Sequence, residues 1–116
     1  MRLEISGTRT LVVRGRRSGA VHRVPLIPVE VDGVRHLVSP RGETHWVRNL
    51  RAAGEGELRS RREGGYRFRA TELPVAERAP IIAAYRKVGG RAVRSFFETM
   101  PDPADHPVFR LDHRPA

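Results

Sequence analysis

The sequence predicts a small, mostly antiparallel β-barrel with helices over its openings. Three observations predict it. Short apolar runs, such as Leu11-Val12-Val13 and Val24-Pro25-Leu26-Ile27-Pro28-Val29, are separated by glycine-containing turns, as in hairpins. From Tyr66 to Thr71, Tyr, Phe and Ala alternate with Arg, Arg and Thr, which puts an apolar face inward and a basic face outward. Segments of helical period stand between and after these strands, a mixture that suits a small barrel.

Residues 1–7 read as a lead-in and Thr8–Arg14 as the first strand. The turn that follows packs Arg16, Arg17 and Ser18 between Gly15 and Gly19. Glycines there permit a positive φ, which turns backbone amides toward an anion. Arg23–Val31 reads as the second strand. Pro25 and Pro28 place it at a sheet edge or on a bulge, because proline cannot donate to a ladder. Asp32-Gly33 is a two-residue hairpin signal, and Val34–Ser39 is the third strand. Glu43–Ala53 has a helical period with Trp46, Val47, Leu50 and Ala53 on one face. Thr44 is its expected N-cap and Gly54 its expected stop. Glu57–Arg62 and Gly65–Leu73 form a second hairpin. Helices are expected over Pro80–Val88 and Arg91–Met100, with a single turn before them at Val75–Arg78. Pro107–Leu111 alternates as a last strand.

The chain has 116 residues and a formal net charge of +9, which fits one domain with one modest core. No run is long enough to span a membrane, and the N-terminus lacks a signal-peptide pattern. A cytoplasmic location is therefore the default. There is no cysteine, so disulfides and thiolate metal sites are excluded. Of the 22 basic residues only Lys87 is lysine. Arginine is the better fork for phosphate and carboxylate, and a basic small domain suggests an anionic partner.

No protein-side catalytic constellation stands out. The five histidines form no H-x-x-x-H or H-E-x-x-H pair, so no metal site is expected. Ser18 lies in G-R-R-S-G, which is not a nucleophile elbow. An enzyme built this way would hold a cofactor that performs the reaction. Three segments are candidates to converge on one. They are the basic turn at residues 15–23, the strand-to-helix junction Val38-Ser39-Pro40-Arg41-Gly42, and His45-Trp46-Val47-Arg48-Asn49 on the helix. Taken singly, each has a plainer reading. The turn is solvated, Trp46 is core, and Asn49 is a satisfied structural amide.

The combination G-R-R-S-G, V-P-L, S-P-R-G and E-T-H-W-V-R-N-L closely resembles the deazaflavin-dependent nitroreductase family. The likeness extends over roughly residues 11–111. It implies a split β-barrel of the FMN-binding type and coenzyme F420, a deazaflavin with a phosphate and an acidic tail. It further implies that Arg16, Arg17 and Ser18 grip the phosphate. His22, Arg23, Val24, Pro25, Leu26 and Ile27 would form a second binding run, with Pro25 near the ring. Val38, Ser39, Pro40 and Arg41 form a third run, with Arg41 near the tail, and His45, Trp46, Val47, Arg48 and Asn49 a fourth. Three features depart from the family. His22 stands where arginine is common, the segment from Arg41 to Trp46 is short, and residues 86–100 contain no tyrosine. The catalytic residues therefore stay unknown.

The expected activity is hydride transfer between reduced F420 and an electron-poor small molecule, such as a quinone, an enone or a nitro compound. FMN in the same cradle is one alternative, and a cofactor carrier or sensor without turnover is another. A nucleic-acid-binding barrel is a third, motivated by Arg59, Arg61, Arg62, Arg67 and Arg69. Few aromatics are free to stack on bases, so nucleic acid is not the expected partner. A homodimer is the expected assembly of a split barrel.

Overall fold

The computed structural model describes residues 7–115; all but the last residue of the expected lead-in lie outside that range. Seven strands form one antiparallel sheet in the order β2-β1-β5-β6-β7-β4-β3. The strands are β1 (Arg9–Arg14), β2 (Val21–Leu26), β3 (Val29–Val31), β4 (Val34–Val38), β5 (Glu55–Ser60), β6 (Gly64–Glu72) and β7 (Val108–His113). Three helices accompany them, α1 (His45–Ala53), α2 (Ala79–Gly89) and α3 (Arg91–Thr99). Short 3-10 turns cover Val75–Glu77 and Pro103–Asp105.

The expected second strand is two strands. It breaks at Ile27-Pro28, and its halves lie at opposite edges of the sheet. Only two residues join those edges, so the sheet must curl until they nearly meet, which makes it a split barrel. Pro25 and Pro28 mark this place because an edge tolerates a missing N–H. β2 also starts earlier than expected, with Val21 paired to Arg14. The helix α1 starts at His45 rather than Glu43. β5 starts at Glu55 rather than Glu57, and its hairpin with β6 turns at residues 61–63.

The barrel interior is a cluster that includes Leu11, Leu37, Trp46, Leu50, Leu58, Phe68 and Phe109. Burying each such side chain stabilises the fold by roughly 1.5–3 kcal/mol. α1 contributes Trp46, Val47 and Leu50 to it, so the helix plugs the barrel. A second cluster joins Ile81, Ile82 and Tyr85 of α2 and Val93 and Phe97 of α3 to Val29, Val38 and Val108. Burial pushes the Tyr85 phenol up to about 12. Glu63, on the β5–β6 turn, accepts from Arg9 of β1 at 2.7 Å and from Arg35 of β4. It thereby bridges two strands that are not neighbours in the sheet.

Candidate functional site

The hairpin between β1 and β2 is closed by Gly15 N–H donating to Ala20 O at 2.7 Å and Gly19 N–H donating to Gly15 O at 3.1 Å. Gly19 takes a φ of 75°, as the turn requires. Gly15 does not have a positive φ. Its lack of a side chain answers a contact instead, because a Cβ there would lie 2.7 Å from His22 Nε2. Ser18 Oγ accepts from Ala20 N–H at 3.1 Å, so the hydroxyl braces its own turn.

Arg16 fastens this turn to α1. Its backbone N–H donates to Asn49 Oδ1 at 3.1 Å, and its guanidinium donates to the same oxygen at 2.8 Å. A second guanidinium nitrogen lies 3.5 Å from His45 Nδ1. His45 and Asn49 are one helical turn apart and share a face. Asn49 is only 4% exposed. A buried amide needs its partners, and here the partner is the turn that carries the arginines.

The charge on this side is one-sided. Residues 5–29 contain no Asp or Glu. Among the described residues, Arg14, Arg16, Arg17, Arg23, Arg41 and Arg48 make no ion pair with a carboxylate. Arg16 is held by a neutral amide, which leaves its charge uncompensated. The start of α1 adds to the imbalance. Thr44 caps it by backbone position only, with no side-chain bond, and the first turn has no acidic residue. The positive end of the helix dipole is therefore open to an anion. Cations of this number without counter-charge suit a phosphate or a run of carboxylates.

The junction before α1 is rigid. Ser39 is fully buried and donates to Gly42 O at 2.6 Å. His106, also fully buried, sets Nδ1 2.9 Å from Ser39 O and Nε2 2.5 Å from Met100 O. It ties the junction to the end of α3. Arg41 is exposed, and its guanidinium lies 5.1 Å from the Phe96 ring of α3. Among the described residues no hydrogen bond or ion pair joins Arg41 to the hairpin turn.

The expected residues thus fall into two groups. Arg17, Ser18, His22, Arg23, Pro25, Arg41, His45 and Arg48 are exposed, and Arg16, Val24, Leu26, Ile27 and Pro40 are partly so. Val38, Ser39, Trp46 and Val47 are buried, so their side chains shape the backbone rather than meet a ligand. Trp46 packs 6.1 Å from Phe109. Phe96 was not legible as a site neighbour, since no motif contains it, and His106 was legible only as the start of the closing H-P-V-F-R-L segment. The basic strand face also changes meaning. Arg59 pairs with Glu57 at 2.9 Å, and Arg67 lines a cavity of about 590 Å3. Of the expected cofactor residues, Arg16 alone lines that cavity. The hairpin turn itself is open, with Arg17, Ser18 and Gly19 exposed.

This is a split-barrel protein with a basic hairpin at one edge of its sheet. The chain belongs to the F420H(2)-dependent quinone reductase family, whose model matches residues 2–96. It is accordingly an oxidoreductase that uses coenzyme F420, in line with the resemblance carried by its motifs. A solved F420-H2 dependent reductase (FDR-A) is 20% identical, with a TM-score of 0.70, over 97% of this chain and 99% of that one. A chain described as a domain-swapped dimer is 20% identical, with a TM-score of 0.68, over 97% and 84%. A pyridoxamine 5'-phosphate oxidase-like protein from Listeria innocua is 9% identical, with a TM-score of 0.68, over 97% and 88%. These likenesses show the fold. No curated protein matches the chain. Among the described residues no helix is long and apolar enough to cross a membrane.

Proposed function

We propose that this protein reduces a quinone with reduced F420 and that the cofactor's phosphate sits on the β1–β2 turn. The observation that carries the reading is the pair of hydrogen bonds that Arg16 donates to Asn49 Oδ1. It docks a turn rich in uncompensated arginine onto the open start of a helix. Arg16 and Arg17 supply charge and Ser18 braces the turn. Pro25, Leu26 and Ile27 offer an apolar strand edge for the ring, and Arg41, steadied on Phe96, faces the acidic tail. Bound F420 supplies the hydride, and the chain's task is to fix the ring and hold its anionic end. The family's description favours a quinone over the enone and nitro alternatives.

A homodimer is part of this reading, supported by the split-barrel neighbour described as a domain-swapped dimer. Light scattering on the eluting protein tests it. The function is tested by oxidation of reduced F420, followed by absorbance, with a water-soluble quinone, a cyclic enone and a nitroimidazole. Turnover with the quinone alone, or fastest with it, is expected. F420 binding without turnover of any of the three would replace the enzyme reading with a carrier.

A further inference from the structure

The cavity beside the hairpin is lined by none of the residues from His22 to Ile27, and its lining is chemically mixed. Apolar groups come from Val12, Val21, Ala52, Ala53 and Phe68. Val21 is 47% exposed, one of only two large hydrophobic side chains so exposed among the described residues. Its exposed surface is therefore part of the cavity wall. Charged groups come from Arg14, Arg16, Arg67 and Arg114, against Glu55 and Glu57. Both acids are already engaged, Glu55 by Arg114 at 2.9 Å and Glu57 by Arg59 at 2.9 Å. Arg14, Arg16 and Arg67 have no carboxylate partner among the described residues.

We propose that this cavity is a second binding site, for a planar aromatic carboxylate. About 590 Å3 lies within the range of small-molecule sites. An apolar wall beside several guanidinium groups favours a flat aromatic body, since guanidinium planes stack on aromatic faces. The unpaired guanidinium groups select an anion over a neutral molecule of equal shape. Arg67 holds the carboxylate, with Arg14 and Arg16 supplying the surrounding positive field. Arg16 also belongs to the proposed cradle, so the two anions compete for one guanidinium. Occupancy of either site then weakens the other by the same factor. This second half rests on the proposed placement of the F420 phosphate; the first does not.

The probe is 2-naphthoate, titrated into the full chain by calorimetry, with 2-naphthylmethanol as its neutral counterpart. Naphthoate should bind, and the alcohol should bind about tenfold more weakly. Arg67→Ala should weaken naphthoate about tenfold, whereas Arg62→Ala, on the exposed β5–β6 turn, should leave it unchanged. Ala53→Trp fills the cavity and should abolish naphthoate binding while F420 still binds, which also shows that the variant is folded. Saturating naphthoate should raise the Kd for F420 in the parent protein about fivefold. Equal naphthoate affinity in the parent, Arg67→Ala and Ala53→Trp overturns the site, as does no binding at millimolar naphthoate. The expected variant pattern with an unchanged F420 Kd keeps the site and removes Arg16 from the cradle.

Discussion

Replacing Asn49 by aspartate separates the two roles of the Arg16 contact. The introduced carboxylate has nearly the shape of the amide and keeps an oxygen for both donors of Arg16, now at 3.1 and 2.8 Å. The fold should therefore lose little, because the charged pair replaces a neutral acceptor without leaving a donor unpaired. The added negative charge, however, neutralises the arginine that the phosphate is to meet. At a separation of about 6 Å, repulsion is roughly 0.7 kcal/mol in bulk water and 2.8 kcal/mol at an effective dielectric constant of 20. F420 affinity should fall roughly 3- to 100-fold. Asn49→Ala should behave differently. It removes both bonds, so it should cost about 2–4 kcal/mol of stability and free the turn. Fluorescence titration of F420 and thermal unfolding of the three proteins decide the matter. Asn49→Asp that is as stable as the parent and binds F420 equally well refutes the cradle.

Arg17→Ala and Arg41→Ala should each lose about 1.5–3 kcal/mol of F420 binding, and added salt should narrow the difference; Arg62→Ala is the control in the same titration. His106→Phe keeps a ring against Phe97, whose centroid lies 4.4 Å away, but removes the ring nitrogens facing Ser39 O and Met100 O. It should cost about 2–5 kcal/mol and lower the Tm by more than about 8 °C, read by calorimetry. Arg35 and Arg9 hold the Glu63 carboxyl below its ordinary 4.5, and Arg51 does the same to Glu72. The unfolded chain then binds more protons below that value, so stability is fully present above about pH 4.5 and falls as pH drops through the lowered values. Urea unfolding at stepped pH should show this decline, and Glu63→Gln with Glu72→Gln should flatten it. Burial pushes His36 below 6.5, so His36→Gln should remove a separate decline that begins as pH falls below that value.

What the sequence disclosed was mostly local. Asp32-Gly33 announces the β3–β4 hairpin, and Asp32 does take the positive φ of 52° that such turns need. The α1 face was legible from Trp46, Val47 and Leu50 because helical spacing is a property of a single segment. Gly54, with a φ of 70°, ends the helix as expected. Long-range pairing was not legible. Nothing in β1 announces that its second neighbour is β5, and nothing in β7 announces that it enters between β6 and β4. The same holds for side chains. Asn49 was visible as an amide on a polar face, but its bond to a backbone N–H 33 residues earlier depends on how the hairpin folds back. Arg67 read as a solvated outward residue because alternation tells which face a residue takes, not what else stands on that face.

The last of the described strands, β7, is not at an edge. β7 pairs with β6 through Glu72↔Phe109 and with β4 through Val38↔Val108. Without it the sheet falls into two unconnected ladders, β2-β1-β5-β6 and β4-β3. During synthesis the junction that precedes α1 can therefore reach its final position only after residues 108–113 have left the ribosome. Until then Leu37 and Val38, buried in the finished barrel, face water or a chaperone. Nascent chains released by truncation at residue 106 should bind a hydrophobic dye and be cut rapidly by protease. Chains extended to residue 115 should resist both.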